Sequence, residues 1–408
     1  MVALHEQVLS LLGKNPPLQI MDVLLRVLPA MMDCTPYARL QTPNDLRLII
    51  LQCLDAVHYH KCRRLTSSVL LDEASSVECL LFDCYVHLLD TIDSNPAVVC
   101  TFEHSCLALL QAAQSLVSHQ HEREAGSQLK AKISALDVIC AIARNLPKVI
   151  KMQWWNVFEG VSNALDAPED AIRLAGIKVL EQATHSWVTA IDQTPQDAWA
   201  TIIPLVLKCS DSTQFYAVRS MAATLMGHIP ESEAALLSDE MANSFRTTLQ
   251  KLIVDDHPEV RSSSWATFGI LVNYERLGYG NQDMMEYIMH QILTSLKQES
   301  TLTVRVRAGW TLGNVADRIQ KHTLWHKLGI SDGIWLELLQ IAFDLASGHE
   351  KSRSNGVRAI GNLVLLISHE PFCSSIPFSS LEEPILCVIK ASKSGNFKVS
   401  VRTIFSNS

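Results

Sequence analysis

The stretch Val304-Arg305-Val306-Arg307-Ala308-Gly309-Trp310-Thr311-Leu312-Gly313-Asn314 decides how this chain folds. An arginine is followed by a small residue three places on, by a large apolar residue seven places on, and then by glycine. Offsets 0, +3 and +7 fall within about 60° of one another on an α-helix, so they form one stripe that has to be buried. The same pattern surrounds Arg173 (Gly176, Leu180), Arg219 (Ala222, Met226, Gly227), Arg261 (Ser264, Phe268, Gly269) and Arg353 (Gly356, Ile360, Gly361). Successive arginines stand 46, 42, 44 and 48 residues apart. A period of this length marks helical hairpins stacked side by side, each burying its apolar face on the next.

An apolar helix precedes most motif helices: 198–209, 238–254, 284–296 and 335–345 all read this way. Short turns such as Ala167-Pro168-Glu169-Asp170 and Asp256-His257-Pro258-Glu259 join the pairs, with proline and acidic residues where a helix starts. A small residue at +3 is expected to let the next helix approach closely. The arginines beside the stripe need partners, because a buried charge without one is costly. Asp170, Asp211, Asp255, Asp256 and Glu350 lie upstream of them. Arg173, Arg219, Arg261, Arg305 and Arg353 are therefore expected to form a structural ladder, each meeting an acid of the preceding turn or the next repeat.

The segments Asp256-His257-Pro258-Glu259-Val260-Arg261 and 304–314 resemble HEAT repeats, whose second helix commonly carries a Val-Arg pair, a small residue and a Leu-Gly close. The resemblance is clear over 130–370 and weak elsewhere. It implies an all-α fold, a right-handed α-solenoid of HEAT-like helical hairpins forming an α–α superhelix, and a role as an intracellular adaptor.

Three segments follow. Residues 1–129 read as degenerate N-terminal helical repeats, with helices over 18–32, 45–59, 78–92 and 102–117. Residues 130–370 form the regular array, and Lys132 with Ala135 and Ile139 is its first, arginine-less copy. Residues 371–408 make an incomplete C-terminal repeat, where 396–402 begins like another motif helix without its Leu-Gly close. That ending is expected of a fragment, an alternative end, or the first part of a longer solenoid.

Composition excludes several classes. Of the 408 residues 48% are apolar and only 6% aromatic, the balance of packed helices, and no run approaches the roughly 20 apolar residues of a membrane span. Residues 1–12 are amphipathic without a basic start, unlike a signal peptide. Most of the eleven cysteines lie among apolar residues at helical spacing, and no Asn-X-Ser/Thr sequon occurs, so the expected setting is intracellular, cytoplasmic or nuclear. Residues 1–249 carry 18 Lys/Arg against 27 Asp/Glu, and 250–408 carry 16 against 15. Neither part is basic, which argues against nucleic acid and anionic membrane as partners.

No phosphate-cradling glycine loop, nucleophile elbow, kinase signature or zincin helix is present. His58-Tyr59-His60-Lys61-Cys62 is the best metal candidate, and it lacks a second ligand pair at metal-finger spacing. His119 and His121 sit in a polar loop, and Cys79 and Cys84 read as core. The expectation is a non-enzyme without cofactor or metal.

With 0, +3 and +7 buried, +2, +5 and +9 point the other way, onto the face that lines the concave surface of a HEAT-like stack. The 305 copy places Arg307, Trp310 and Asn314 there, and the 353 copy places Asn355, Arg358 and Asn362. Tryptophan and arginine dominate interface energies, so these six residues are the candidate protein-binding site. The same residues also suit packing: Asn314 and Asn362 follow glycines and can bond to adjacent turns, and a neighbouring helix can cover Trp310. A second functional reading is a nuclear-transport-receptor-like or nucleic-acid-associated solenoid. A transport receptor calls for acidic runs on the inner helices and a nucleic-acid binder for basic ones; neither is seen, though the acidic first part leaves the former open.

Overall fold

The computed structural model describes residues 2–14, 16–34, 53, 68–90, 126–191, 197–278, 280–322, 330–367 and 379–393, together with positions 107, 109–111, 113, 114, 116, 117, 195 and 328. Among them there is no strand, and every element is helical. The chain divides into two compact units, Met1–Leu205 and Val206–Ser408.

The first unit contains α1 (Val2–Leu12), α2 (Leu18–Cys34), α3 (Ser68–Asp90), α4 (Gly126–Asn145), α5 (Pro147–Met152), α6 (Trp154–Leu165) and α7 (Asp170–Ser186). A single π-helical turn, Trp187–Ile191, continues α7. Helix α2 packs on α3, α3 on α4, and α4 on α7, each burying the face its apolar period marks. Helices α6 and α7 form the hairpin of the Arg173 copy. The expected helix over 45–59, Cys53 apart, both histidine clusters and the repeat start at 396–402 lie outside the described residues, and 102–117 is described only in part.

The second unit holds α9 (Tyr216–Met226), α10 (Glu231–Ala235), α11 (Asp239–Leu252), α12 (Pro258–Leu271), α13 (Gln282–Gln298), α14 (Leu302–Lys321), α15 (Asp332–Ser347), α16 (Glu350–Ile367) and α17 (Ser379–Lys393), while α8 (Ala198–Cys209) spans the division. Helix pairs α11–α12, α13–α14 and α15–α16 are hairpins, and the motif helices α9, α12, α14 and α16 pack consecutively. Helix α11 starts one residue into its expected run and α13 two residues before its own, where Ser238 and Asn281 cap them, accepting hydrogen bonds from the Met241 amide at 3.2 Å and the Met284 amide at 2.9 Å.

The motif's small residue meets the helix before it, and not the next one as its spacing alone suggested. A Cβ on Gly356 would stand 2.7 Å from the Ala342 carbonyl oxygen in α15, and one on Gly176 would stand 3.1 Å from Ala164 Cβ in α6. The terminal glycine of the motif faces the following repeat. A Cβ on Gly269 would collide with the indole of Trp310. In the Arg173 and Arg353 copies the +3 glycine therefore closes the hairpin, and in the Arg219, Arg261 and Arg305 copies the +8 glycine lies against the next hairpin.

Of the described thiols Cys53, Cys84 and Cys209 belong to the core, whereas Cys79, expected there, is half-buried, as are Cys140 and Cys387. Burial pushes the Cys53 thiol up to about 11 and that of Cys84 to about 12.

Candidate functional site

Each motif arginine is the fourth residue of its helix, and its amide makes the first intrahelical bond, to Glu169, Phe215, His257, Thr301 and His349 respectively. From that register the guanidinium can reach back over the turn that ends the previous helix. Arg173 Nη1 donates to the carbonyls of Ala167 (2.7 Å) and Pro168 (2.8 Å), and Arg261 Nη1 to those of Asp255 (2.7 Å) and Asp256 (2.9 Å). Arg305 Nη1 donates to the carbonyls of Leu296 (2.7 Å) and Glu299 (3.2 Å), and Arg219 Nη1 to that of Gln214 (2.5 Å). These are the orphan carbonyls that a helix end and its turn leave behind.

Carboxylate pairing is less uniform. Arg173 meets Asp170 in its own first turn. Arg219 forks onto Asp255 of the following repeat, Nε to Oδ2 and Nη2 to Oδ1 both at 2.8 Å, with the two side chains 9% and 11% exposed. Arg261 reaches Glu299 of the following repeat at 2.7 and 2.8 Å. Burial alone would raise the Asp255 carboxyl, but hydrogen bonds from Arg219 and the His257 amide outweigh it and hold the group below the usual carboxylate range. Glu299 follows the same balance: burial raises it, and hydrogen bonds from the Thr301 amide and Arg261 bring it down further. Arg353 is exposed, and Asp211 accepts from the amide and hydroxyl of Thr213.

A second set of bonds runs directly between motif helices. The Thr267 hydroxyl donates to the Ala223 carbonyl (2.6 Å), and that of Thr311 to the Trp265 carbonyl (2.7 Å), both buried. Asn314 Nδ2 donates to the Gly269 carbonyl (2.6 Å) and Asn362 Nδ2 to the Gly313 carbonyl (3.0 Å). Position +6 of one copy thus meets +4 of the copy before it, and +9 meets +8. Asn355 Nδ2 donates to the Val306 carbonyl at 3.0 Å, and Arg318 Nε to Asn273 Oδ1 at 2.7 Å. The accepting helical carbonyls use their second lone pair.

The six candidate partner-binding residues lie on α14 and α16. Arg307 is exposed. Trp310 is half-buried, with its ring over Gly269. Arg358, also half-buried, donates Nη2 to Asn314 Oδ1 at 2.6 Å and lies along Gly313. Asn314, Asn355 and Asn362 point their amides at the adjacent helix. Sequence reasoning missed Thr267 and Thr311, because threonine in an apolar helix reads as neutral; its recurrence at +6 was the available signal.

A cleft of about 310 Å³ opens beside Arg261 and Glu299, bordered by Val254, Trp265, Gln291 and Thr294. Among the described residues no group of three or more His, Cys, Asp or Glu could hold a metal ion, and no helix is long and apolar enough to cross a membrane.

No protein-family model matches the chain. Among solved structures, Kap121p bound to RanGTP is similar over 96% of this chain and 38% of its own, with a TM-score of 0.53 and 12% identity. A further Kap121p structure matches over the same shares at 0.51 and 13%. An engineered protein is similar over 98% of this chain and 97% of its own, at 0.52 and 14%. The chain thus spans well under half the length of Kap121p. At these identities the likeness is one of fold, and that fold is an all-α repeat solenoid.

Proposed function

We propose that this chain is a non-enzymatic scaffold or adaptor, working in the cytoplasm or nucleus, that binds a protein partner on the face carrying Arg307, Trp310, Asn314, Asn355, Arg358 and Asn362, the concave one in a HEAT-like stack. The observation that supports this reading is preorganisation. The amide of Asn314 holds Arg358, and Trp310 rests on a glycine, so an aromatic and a guanidinium are set in place before a partner arrives. Side chains already ordered lose less entropy on binding. The chain's resemblance to part of HEAT-repeat-containing protein six belongs to the same proposal.

The fold likeness to Kap121p supports a second reading, a transport-receptor-like solenoid whose partner is itself a protein. Affinity purification from cells tests both, comparing the chain with Trp310→Ala/Arg358→Ala and with Arg307→Glu, which sits at an exposed position. A partner lost with both variants while helicity is kept supports the site, and a partner bearing a nuclear import or export function selects the second reading. Unchanged partner sets with both variants retire the six residues.

A further inference from the structure

Three turns of the second unit keep one register. The amides of Arg261, Arg305 and Arg353 bond to the carbonyls of His257, Thr301 and His349, four residues before each arginine. Two residues further back stand Asp255, Glu299 and Ser347. The first two are the acids of the clamp. Each accepts the amide two residues on, Asp255 Oδ1 from His257 at 2.9 Å and Glu299 Oε1 from Thr301 at 2.8 Å. Each also receives the Nε and Nη2 edge of the arginine one repeat earlier. At the third turn a serine stands in the place of the acid.

The arginine one repeat before that turn is Arg305. Its hydrogen bonds both leave from Nη1, to the carbonyls of Leu296 and Glu299, and among the described residues its Nε and Nη2 edge meets no carboxylate. Ser347 is the last residue of α15, its side chain is exposed, and its hydroxyl makes no hydrogen bond among the described residues. A phosphoryl group on that hydroxyl would supply the missing partner. It carries about −1.5 to −2 charges at neutral pH with three acceptor oxygens, and opposite arginine it forms charge-assisted hydrogen bonds.

We infer that Ser347 is a phosphorylation site whose phosphate binds the Nε and Nη2 edge of Arg305 and the His349 amide, closing the clamp between the Arg305 and Arg353 copies. The reaction is phosphoryl transfer from ATP by a protein kinase. The Ser347 Oγ–P bond forms as the bond from the γ-phosphorus to the β–γ bridging oxygen breaks, ADP leaves, and the hydroxyl proton passes to the kinase's base. Asp344 and Glu350, exposed three residues to either side, suit a kinase with a basic substrate groove. These two acids oppose the phosphate, as does the C-terminal end of α15. Lys351 and Arg353, both exposed, offset the acids. Glu299 occupies the matching place directly behind the end of α13 and pairs with Arg261 there, so the chain already holds an anion in this position one turn earlier. The clamp would tighten α14 against α16, the helices that carry the candidate partner-binding residues; only an effect on partner binding rests on the proposed function.

The test reads phosphate and stability, both independent of any partner. The full chain is purified from cells with phosphatase inhibitors present, and mass spectrometry of the peptide spanning Ser347 is expected to place a phosphate on that residue. Ser347→Glu should then melt about 2–4 °C above Ser347→Gln, which has the same length without the charge. Arg305→Ala should cancel that difference, and the comparison of glutamate with glutamine stands alone if Arg305→Ala does not fold. Three results would each overturn the inference: no phosphate on Ser347, equal melting of the glutamate and glutamine variants, or a difference that survives Arg305→Ala.

Discussion

Within the second unit, the copies led by Arg219 and Arg261 differ from those led by Arg305 and Arg353 although all four carry the same motif. The earlier pair is clamped to the following repeat by carboxylates, Asp255 and Glu299, at the turn end of the helices. At the joint between the Arg305 and Arg353 copies the bonds run midway along the motif helices, through Asn355, Arg358 and Asn362, while Asn314 bonds back to Gly269 at the joint that Glu299 already clamps. The cause is one of spacing. Asp255 and Glu299 each stand six residues before the next motif arginine, whereas Ser347 holds that place before Arg353. At the joint that lacks the acid, Asn355, Arg358 and Asn362 hold the repeats together, and at the joint that Glu299 clamps, Asn314 adds to it. The motif thus fixes the fold of a hairpin, and residues outside it choose how hairpins are fastened.

The largest test of this contrast is Arg219→Ala. It strands the Asp255 carboxylate in a nearly closed site, and removing one partner of a buried pair costs about 3 kcal/mol. The thermal transition should fall by roughly 6–10 °C by circular dichroism; an unchanged transition would show the clamp to be idle.

Acid should erase the clamp. The Asp255 carboxyl is held below its ordinary range in the folded chain, so its contribution is fully present above roughly pH 4 and is lost as pH falls through the lowered value. Asp255→Asn should be less stable than the parent at pH 7, with the gap narrowing at pH 3. A constant gap in urea melts at the two pH values would mean that ionisation of Asp255 does not matter.

Two glycines sharpen the comparison further. Gly269→Ala forces the Trp310 ring to move, an overpacking that costs about 1–3 kcal/mol against a helix gain of about 1. Gly313→Ala meets Arg358 atoms no closer than 3.7 Å, so its helix gain should stand and the protein should keep or slightly raise its melting temperature. Equal responses from the two would contradict the inter-repeat role of Gly269. The smallest effect belongs to Arg353→Ala, an exposed position, where a change within about 0.5 kcal/mol is expected; a loss near that of Arg219→Ala would place Arg353 in the same clamp.

The local sequence shows each hairpin's start, stripe and close, because those depend on helical period and turn chemistry within one repeat. Proline, the acids beside it, and the arginine four residues into each motif helix could all be read in this way. Asn281 also acts locally, yet it lay outside the apolar window that set the expected start of its helix, whereas Ser238 opened its window. The candidate site was legible only as a list. The spacing put Arg307, Trp310, Asn314, Asn355, Arg358 and Asn362 on one face, and it left open whether each side chain looks outward or into the neighbouring helix.

By itself the sequence determined an all-α chain of stacked helical hairpins, through a period of 42 to 48 residues and a buried stripe at 0, +3 and +7. Only the tertiary structure decided that the +3 residue closes the hairpin behind it, that the +8 glycine receives Trp310, that Arg219 pairs with Asp255, and that of two adjacent tryptophans Trp154 is core and Trp155 is surface. Those choices depend on the distance between atoms some forty residues apart in the chain, or on which side of a helix a neighbour covers. Neither is encoded in a local pattern of residue types.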